Sequence, residues 1–325
     1  MLETIPFDAA SGDVSAAPAF REDVVSVLGH RMAYITGDTG EPVLFLHGLG
    51  HTAGTWNEVL PQLARHFRVF AVDMLGCGHS DKPRVEYNLW ALATYTRYFM
   101  DAVGIERAHL VGHSLGGGIA MHMAWQYPER VNRLALVSTG GLGRDVRLAL
   151  RVASLPGTSL ALAGFTSPVW LWALKRFRAG RAMTPAWREN VQMWIRLGQV
   201  DSRRAFFRIL RSVCSLRGQK VSALDRLALL KHPVLLIWGE RDRTIPVAHA
   251  RRAAALICGC QLEVLPNCNH YPPLEQPELV AASLERFLRA PACASDATPD
   301  EAGLLRADER HVLIADGGET AAGIA

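Results

Sequence analysis

The chain has 325 residues and a mass of 35.6 kDa, with 49% hydrophobic and 20% charged residues. This composition supplies a large buried core and excludes a wholly disordered chain, a collagen and a coiled coil. The net charge of +4 is unevenly distributed: residues 141–230 hold sixteen Lys and Arg against four Asp and Glu, whereas residues 290–325 hold seven acidic and two basic side chains. The cationic middle is either a solvated face or a surface that attracts anionic substrates or a membrane.

Cysteine usage and the N-terminal sequence favour a reducing compartment. The first twenty residues contain no Lys or Arg and no apolar stretch of the kind that a secretory signal requires. The six cysteines lie too far apart for a small disulfide scaffold. We therefore expect a cytoplasmic protein, with peripheral contact at a membrane as an extension. Cys258 and Cys260 have the spacing of a metal-ligand pair, but without further paired ligands we expect buried thiols and no metal.

Apolar runs alternate with helix-length segments up to about residue 139. Strands are predicted at residues 24–28, 31–35, 43–46, 67–72, 108–111 and 133–137. Helices are predicted at residues 56–66, 89–103 and 114–127. Short runs that are apolar throughout are typical of strands buried on both faces. The alternation therefore predicts a doubly wound, mostly parallel α/β sheet with helices on both faces.

Residues 140–230 interrupt this alternation and are interpreted as several helices, one of them starting at Thr184-Pro185. The strand and helix pattern then resumes with a strand at 233–239, a helix at 246–257, a strand at 261–265 and a last helix from Pro277. We predict four parts: a mobile N-terminal segment (1–21), a core domain (22–139 and 231–289), a helical cap (140–230), and an acidic, disordered tail (290–325).

The longest uncharged run extends from Val152 to Leu174 and is long enough to consider as a membrane span. Two prolines and two glycines interrupt it. We interpret the run as apolar helical pieces that cover a pocket, with contact to a membrane surface through the cationic, apolar cap as the alternative.

The strongest chemical signal is Gly112-His113-Ser114-Leu115-Gly116, which follows a predicted strand and opens a predicted helix. A G-x-S-x-G pattern in this position is typical of a nucleophile elbow, a very tight strand-to-helix turn. The two glycines remove Cβ atoms that would clash across the turn. Ser114 would then be exposed at the carboxyl edge of the sheet, where the helix N-terminus favours developing negative charge. The alternative is an ordinary glycine-rich turn.

A serine nucleophile needs a base, and the base needs a carboxylate to orient it. His270 lies in the loop after the last predicted strand, and Asp242 lies in the loop after the strand that ends near Trp238. Both loops follow carboxyl ends of strands, at the edge where open α/β sheets bind ligands. The chain order Ser, Asp, His is the one this architecture predicts. Glu240 is the alternative carboxylate.

Stabilising the oxyanion of an acyl transfer requires two backbone N–H donors. Leu115 supplies one, because it follows the nucleophile. The other is expected from the loop after the strand at 43–46, where His47-Gly48-Leu49-Gly50 offers the amide of Leu49.

These motifs together resemble the α/β-hydrolase family, in its cap-bearing branch. The matching segments extend from about residue 22 to residue 289 in the family's order: 47–50, 73–83, the elbow, the Asp242 loop and the His270 loop. The resemblance implies Ser114 as nucleophile, Asp242 as acid, His270 as base and the helical insertion as a lid. One departure is Asn269, since the family often has Gly before this His.

We expect a cofactor-independent carboxylic ester hydrolase that works through an acyl-enzyme. Carbon–carbon hydrolases of ring-cleavage products also use Ser but often carry Trp after the His, where this chain has Tyr271. A non-catalytic ligand receptor on the same fold is a third reading, against which an intact triad argues. Epoxide hydrolases and haloalkane dehalogenases use an Asp nucleophile, so Ser114 argues against both.

Aromatic residues in the insertion bear on the substrate, because four of the eight Trp lie there. They form either an ordinary lid core or an apolar acyl-binding wall rimmed by Arg, which would favour a substrate with a long apolar part. The residues we expect at the substrate site are Gly48, His113, Trp170, Trp172, Trp194 and Tyr271. The expected partner is a small ester or lipid-like molecule, with no nucleic acid, metal or cofactor.

Overall fold

The computed structural model of the protein describes residues 20–37, 39–165 and 184–291. Its strands in these ranges are β1 (Arg21–Val27), β2 (His30–Thr36), β3 (Glu41–Leu46), β4 (Phe67–Val72), β5 (Ala108–His113), β6 (Val131–Val137), β7 (Cys214–Ser215), β8 (Gly218–Gln219), β9 (Val234–Gly239) and β10 (Gln261–Leu265).

Eight of these strands form one sheet in the order β1-β2-β4-β3-β5-β6-β9-β10. β2 pairs antiparallel with β1 and β4, and the remaining pairs of this sheet are parallel. This confirms the predicted mostly parallel α/β sheet. Because parallel strands end at a common edge, the loops after β3, β5, β6, β9 and β10 meet there.

The helices in the described ranges are α1 (Leu60–Leu63), α2 (Leu89–Ala102), α3 (Leu115–Gln126), α4 (Leu148–Ala153), α5 (Thr158–Phe165), α6 (Pro185–Leu197), α7 (Val200–Val213), α8 (Ala248–Ala254), α9 (Pro272–Glu275) and α10 (Pro277–Leu288). Helix α6 starts where the sequence predicts: Pro185 lies in its first turn, and the Thr184 side chain accepts a hydrogen bond from the Trp187 amide at 3.3 Å.

The two faces of the sheet bury separate apolar cores, because successive side chains of a strand point to opposite faces. In β3, Leu44 and Leu46 belong to the core that includes α2 and α3. Val43 and Phe45 belong to the opposite core, which includes α1 and α10. The central strands are therefore apolar throughout, and this is the pattern from which the sequence predicted them.

Two predictions of secondary structure are wrong, one at residues 56–66 and one in the insertion. The helix expected at 56–66 is a 3₁₀ turn (Ala53–Trp56) followed by the single-turn α1. The insertion, where no strand was expected, contains the β7–β8 hairpin. Strands of two residues are too short to show a period in the sequence. Their turn depends on Gly218 at φ +107°, a conformation in which any Cβ would also overlap the Arg144 carbonyl.

Several predictions fall on residues that are not described. The N-terminal segment 1–19, residues 166–183 of the cap and the acidic tail from residue 292 lie outside the described residues. Within the described ranges, no helix is long and apolar enough to cross a membrane. The part of the uncharged run that is described forms the end of α4 and all of α5, separated by a break at Pro156 and Gly157.

Candidate active site

Ser114 occupies the single position between β5 and α3, with φ 52° and ψ −111°. This backbone conformation is costly for any residue with a side chain. Two backbone hydrogen bonds hold it: the Ser114 amide donates to the Val137 carbonyl at 3.0 Å, and the Gly140 amide donates to the Ser114 carbonyl at 2.9 Å. The chain after β6 therefore fixes the strained turn and orients the serine hydroxyl.

The glycines that flank Ser114 are required by close backbone packing. A Cβ at Gly112 would overlap the carbonyl of Gly116, and a Cβ at Gly116 would overlap the carbonyl of Leu46. The tight turn and the contact of α3 with β3 therefore both depend on missing side chains, as the pattern predicts.

Three side chains that are far apart in the sequence meet at this turn. His270 Nε2 lies 3.1 Å from Ser114 Oγ, and His270 Nδ1 lies 2.8 Å from Asp242 Oδ2. The Nδ1–H donates to the carboxylate, so Nε2 is left to accept the hydroxyl proton of Ser114. Asp242 and His270 are both buried. The structure thus brings together the predicted nucleophile, base and acid.

The second oxygen of Asp242 is fixed by its own loop. Its Oδ1 accepts hydrogen bonds from the amides of Thr244 and Ile245 at 2.7 and 2.9 Å. The alternative carboxylate, Glu240, instead accepts a hydrogen bond from the Asn267 amide at 3.3 Å. Asp242, and not Glu240, therefore orients the imidazole.

Asn269, the departure from the family pattern, is accommodated by a local contact. Its amide N–H and its side-chain Nδ2 both donate to Glu275 Oε2, at 2.8 and 2.9 Å. The left-handed residue of this loop is Asn267, with φ 56°. Asn269 is not in the left-handed region, so glycine is not needed there.

His113 holds the opposite side of the His270 loop. It is fully buried, and its Nε2–H donates to the His270 carbonyl at 2.8 Å. Burial lowers the pKa of His113 from 6.5 to about 3, so the ring is neutral. Gly48 makes room for this ring, since a Cβ there would lie 2.9 Å from His113 Nδ1. His113 therefore supports the backbone of His270, and Gly48 leaves room for the His113 ring.

Tyr271 joins the loop of His270 to the cap. Its ring stacks on His51 with centroids 5.0 Å apart and planes 8° apart, and its hydroxyl donates to Asn190 Oδ1 of α6 at 3.4 Å. Burial raises the pKa of Tyr271 to about 12 and lowers the pKa of His51 well below its ordinary value. Both side chains are therefore neutral at physiological pH.

The loop after β3 reaches the same cavity as Ser114. Leu49 and Leu115 both line one cavity together with Ser114. Leu115 is the first residue of α3, so its N–H has no acceptor within the helix. No described residue accepts a hydrogen bond from the Leu49 amide. Leu49 and Leu115, whose amides are the predicted oxyanion donors, therefore both lie at the cavity that contains Ser114.

The 73–83 segment holds the loop after β3 in place. The Asp73 carboxylate accepts hydrogen bonds from the amides of Ala53 (2.7 Å) and His79 (2.6 Å). His47 Nε2 accepts a hydrogen bond from the Met74 amide at 3.1 Å, and its Nδ1–H donates to the Gly48 carbonyl at 2.7 Å. A neutral His47 therefore ties the Gly48 backbone to the neighbouring loop.

The cavity beside Ser114 is lined mainly by apolar side chains from α2, the cap and the Asp242 loop. Its described apolar side chains are Leu49, Leu89, Leu115, Val146, Leu150, Leu210, Val213, Cys214, Val221 and Ile245. Two polar side chains also reach it, Gln219 and Thr244. Gln219 Oε1 accepts from the Gly141 amide (2.7 Å) and its Nε2 donates to the Asp145 carbonyl (3.1 Å), so this side chain is already used structurally.

Two comparisons with known sequences identify the architecture. A model of the alpha/beta hydrolase fold matches residues 41–181. A 2-hydroxymuconate semialdehyde hydrolase of Pseudomonas sp. (strain CF600) is 31% identical over 278 residues, which cover 84% of this chain and 95% of that protein. The chain belongs to the alpha/beta hydrolase fold family. It is a hydrolase of that family, as the motifs predicted.

Two further proteins are similar over most of this chain. An uncharacterised protein of Mycobacterium tuberculosis (strain ATCC 25618 / H37Rv) is 39% identical over 304 residues, covering 90% of this chain and 86% of that protein. The crystal structure of a membrane phospholipase A, a bacterial virulence factor, has a TM-score of 0.68 and 26% identity, covering 83% of this chain and 86% of that one.

Not every predicted substrate residue of this alpha/beta hydrolase reaches the cavity. Trp170 and Trp172 lie outside the described residues. Trp194 is 38% exposed, and the described residues that line this cavity do not include Gly48, His113, Trp194 or Tyr271. The apolar side chains that the insertion supplies to the cavity are those of Val146, Leu150, Leu210, Val213, Cys214 and Val221.

Most of the cavity wall was not predicted from the sequence. Thr244 and Ile245 lie two and three residues after Asp242, so their place beside the acid was a usable signal. Leu89 opens α2, and nothing in its own sequence context points to the site. Such apolar residues carry no chemical signature, and only the packing of distant elements brings them together.

Metal-binding groups are not assembled in the described part of this alpha/beta hydrolase, where no three His, Cys, Asp or Glu side chains are placed to share an ion. Cys258 and Cys260 are free thiols. The expectation that both are buried is wrong, since Cys258 is exposed and Cys260 is half-buried. Burial raises the pKa of Cys260 to about 11.

Proposed function

We propose that this alpha/beta hydrolase cleaves carboxylic esters with an apolar part, through an acyl-enzyme formed on Ser114. The observation that carries the proposal is the continuous hydrogen-bonded series from Ser114 Oγ through His270 to Asp242, which opens onto an apolar cavity. A hydroxyl, a neutral imidazole and a carboxylate in this order form the machinery of serine acyl transfer.

In the first step, Ser114 Oγ attacks the ester carbonyl while His270 Nε2 takes the hydroxyl proton. The imidazolium that forms is stabilised by Asp242, whose position is fixed by the two amides of its own loop. The negative charge on the former carbonyl oxygen is held by the N–H groups of Leu49 and Leu115.

Collapse of the tetrahedral intermediate breaks the carbon–oxygen bond of the ester, and His270 gives its proton to the leaving alcohol. His270 then takes a proton from a water molecule, whose oxygen attacks the acyl carbon. The bond between this carbon and Ser114 Oγ breaks, His270 returns the proton to Oγ, and the carboxylic acid product leaves. No step uses a cofactor.

The cavity supports an apolar substrate part. Desolvating an alkyl or aryl group against Leu89, Val146 and Leu210 is favourable, whereas a charged group there would lack a partner among the described lining residues. The chain is similar to a protein named as a membrane phospholipase A, and this likeness supports an ester substrate. Turnover on a series of esters of increasing chain length would measure which length of the acyl part the enzyme prefers.

The decisive experiment compares the parent enzyme with Ser114→Ala. We expect the variant to lose about 10⁴–10⁶ in kcat on an aryl ester. A fluorophosphonate probe is expected to label the folded parent and not the variant. Equal ester turnover by both proteins would reject the assignment, and a folded parent that the probe leaves unlabelled would favour a non-catalytic ligand receptor.

A second candidate is hydrolysis of a carbon–carbon bond in a ring-cleavage product. It is favoured by the 31% identity to a 2-hydroxymuconate semialdehyde hydrolase. The same three side chains would serve that reaction. A side-by-side assay of an aryl ester and a dienoic ring-cleavage product separates the two: faster turnover of the dienoic substrate would replace the ester proposal.

The place of action follows from the thiols. The five cysteines in the described ranges are all free, and Cys77, Cys214 and Cys268 are buried. Free buried thiols are typical of a reducing compartment, and this supports our proposal that the enzyme acts in the cytoplasm. The proposed partner is the small-molecule substrate itself.

A further inference from the structure

The helical insertion carries large apolar side chains that are exposed to solvent. They are Leu148 (66% exposed) and Val152 (46%) of α4, Leu160 (80%) of α5, and Leu216 (47%) at the tip of the β7–β8 hairpin. We call these four residues the α4–α5 face. Isolated exposed leucines are common, but a group of them on adjoining elements marks an interaction surface.

The elements that carry these side chains are held together. Arg151 Nε of α4 donates to the Leu216 carbonyl at 2.6 Å, which joins the helix to the hairpin tip. Residues Leu148 and Val152 are four apart and therefore share one side of α4. Helix α5 follows after the break at Pro156 and Gly157 and adds Leu160. The four exposed side chains therefore lie on three elements that are joined to one another.

Arginines lie next to the residues of the α4–α5 face in the sequence: Arg144 and Arg147 precede Leu148, and Arg217 follows Leu216. The exposed side chains of Arg144, Arg147 and Arg217 have no ion-pair partner among the described residues. Asp145 is the single acidic residue in the segment 144–165, and its carboxylate lies 3.2 Å from His249 Nε2. The surface therefore combines exposed leucines with unpaired arginines.

We propose that the α4–α5 face binds to the surface of an anionic phospholipid bilayer. Exposed apolar side chains insert at the boundary of headgroups and acyl chains, and arginines beside them pair with lipid phosphates. A second copy of the chain fits less well, because a two-fold contact through this face would bring the arginines of both copies together. The charge of these arginines thus selects a negatively charged occupant.

The position of α4 gives this binding a consequence for catalysis, which rests on the proposed ester hydrolysis. Leu150 points from α4 into the cavity beside Ser114, while Leu148 and Val152 point outward. Val213 and Cys214, which lead into the hairpin, also line the cavity. A single layer of secondary structure therefore separates the α4–α5 face from the substrate cavity, so an ester dissolved in the bilayer reaches Ser114 over a short path.

The test is sedimentation with phospholipid vesicles. The full-length parent is expected to sediment with vesicles of phosphatidylcholine and phosphatidylglycerol, much less with phosphatidylcholine alone, and to be released by salt. The double variant Leu148→Asp with Leu160→Asp is expected to lose binding by at least about tenfold. The double variant Arg147→Gln with Arg217→Gln is expected to lose about fivefold in affinity for the vesicles for each arginine that is removed.

Matched controls carry the same changes elsewhere. Leu279→Asp alters a leucine of α10 that is 49% exposed, and Arg251→Gln with Arg252→Gln alters exposed arginines of α8. These variants are expected to bind like the parent. Absence of parent binding to anionic vesicles, retained binding by the α4–α5 variants, or equal loss in the controls would each overturn the proposal.

Two further measurements separate this proposal from the proposed activity. Ser114→Ala is expected to bind vesicles like the parent, because the serine lies inside the cavity. The α4–α5 variants are expected to keep parent turnover on a water-soluble ester, which also shows that they fold. Vesicle binding without ester turnover by the parent would reject only the activity, and turnover without binding would reject only the membrane surface.

Discussion

The imidazole of His113 supports the backbone of His270: its Nε2–H donates to the His270 carbonyl over 2.8 Å. The two rings lie 5.2 Å apart between centroids, so the residue before the nucleophile is packed against the base. Asp242 fixes His270 from its side chain, and His113 fixes it from its main chain. His113, a residue of the elbow, therefore helps to maintain the distance between Ser114 and His270.

The hydrogen bond from His113 predicts a loss of rate when the donor is removed. His113→Phe keeps a ring but leaves the His270 carbonyl without its hydrogen-bond donor. We expect His270 to shift, and a displacement of the base by about 1 Å costs about 10²-fold in kcat. His113→Gln retains a side-chain N–H and is expected to recover part of that loss. Steady-state kinetics of both variants check this, together with thermal unfolding to confirm that each is folded. Equal rates for Phe and Gln would show that the donor has no positioning role.

A separate prediction concerns the stability of the folded enzyme in acid. His113 titrates at 6.5 in the unfolded chain, and burial lowers its folded pKa to about 3. Between these values the unfolded chain binds a proton that the folded chain does not, so stability is complete above pH 6.5 and falls as the pH drops toward 3. The slope for this group is about 1.4 kcal/mol per pH unit.

Denaturant unfolding of the parent and of His113→Gln across that pH range isolates the contribution of His113 to the pH dependence of the free energy of unfolding. The parent is expected to lose stability more steeply, by the slope of one histidine. His51 is also buried with a lowered pKa and remains in both proteins, so the effect of its burial is present in both curves. Parallel curves for the two proteins would contradict the neutral, buried state of His113.

The carboxylate that orients the base is tested by a pair of isosteric variants. Asp242→Asn is expected to lose up to about 10⁴ in kcat, because the amide favours the wrong imidazole tautomer. Glu240→Gln is the matched control, since its carboxylate contacts the Asn267 amide instead of His270. It is expected to stay within a few-fold of the parent. A larger loss in Glu240→Gln than in Asp242→Asn would mean that the wrong carboxylate had been assigned.

The sequence predicted the core of the site because each of its parts has a local chemical reason. Ser114 was marked by glycines that a tight turn requires, and Asp242 and His270 by loops that follow apolar strands. The same reasoning predicted the parallel sheet, whose central strands are apolar on both faces.

The cavity wall and the cap were less predictable, for a physical reason. A buried Leu in a wall and a buried Leu in a lid core have the same sequence signature, and their difference lies in which distant element faces them. Trp194 shows this: an aromatic ring in an amphipathic helix suggests a wall, yet α6 leaves it 38% exposed. The β7–β8 hairpin depends on a single turn at Gly218 and carries no periodic pattern.

Two adjacent glycines of α3 give the last prediction, because their surroundings differ. A Cβ at Gly117 would overlap the Thr139 hydroxyl, whereas a Cβ at Gly118 would lie 3.3 Å from Leu89 Cδ1 and meet nothing closer. In a helix, Ala is intrinsically favoured over Gly by about 1 kcal/mol. Gly117→Ala is nevertheless expected to destabilise the fold by about 1–3 kcal/mol, since neither α3 nor the chain after β6 can withdraw without disturbing Ser114. Gly118→Ala is expected to be neutral or slightly stabilising. Denaturant unfolding measures both variants, and a Gly117→Ala protein as stable as the parent would show that the contact between α3 and Thr139 is loose.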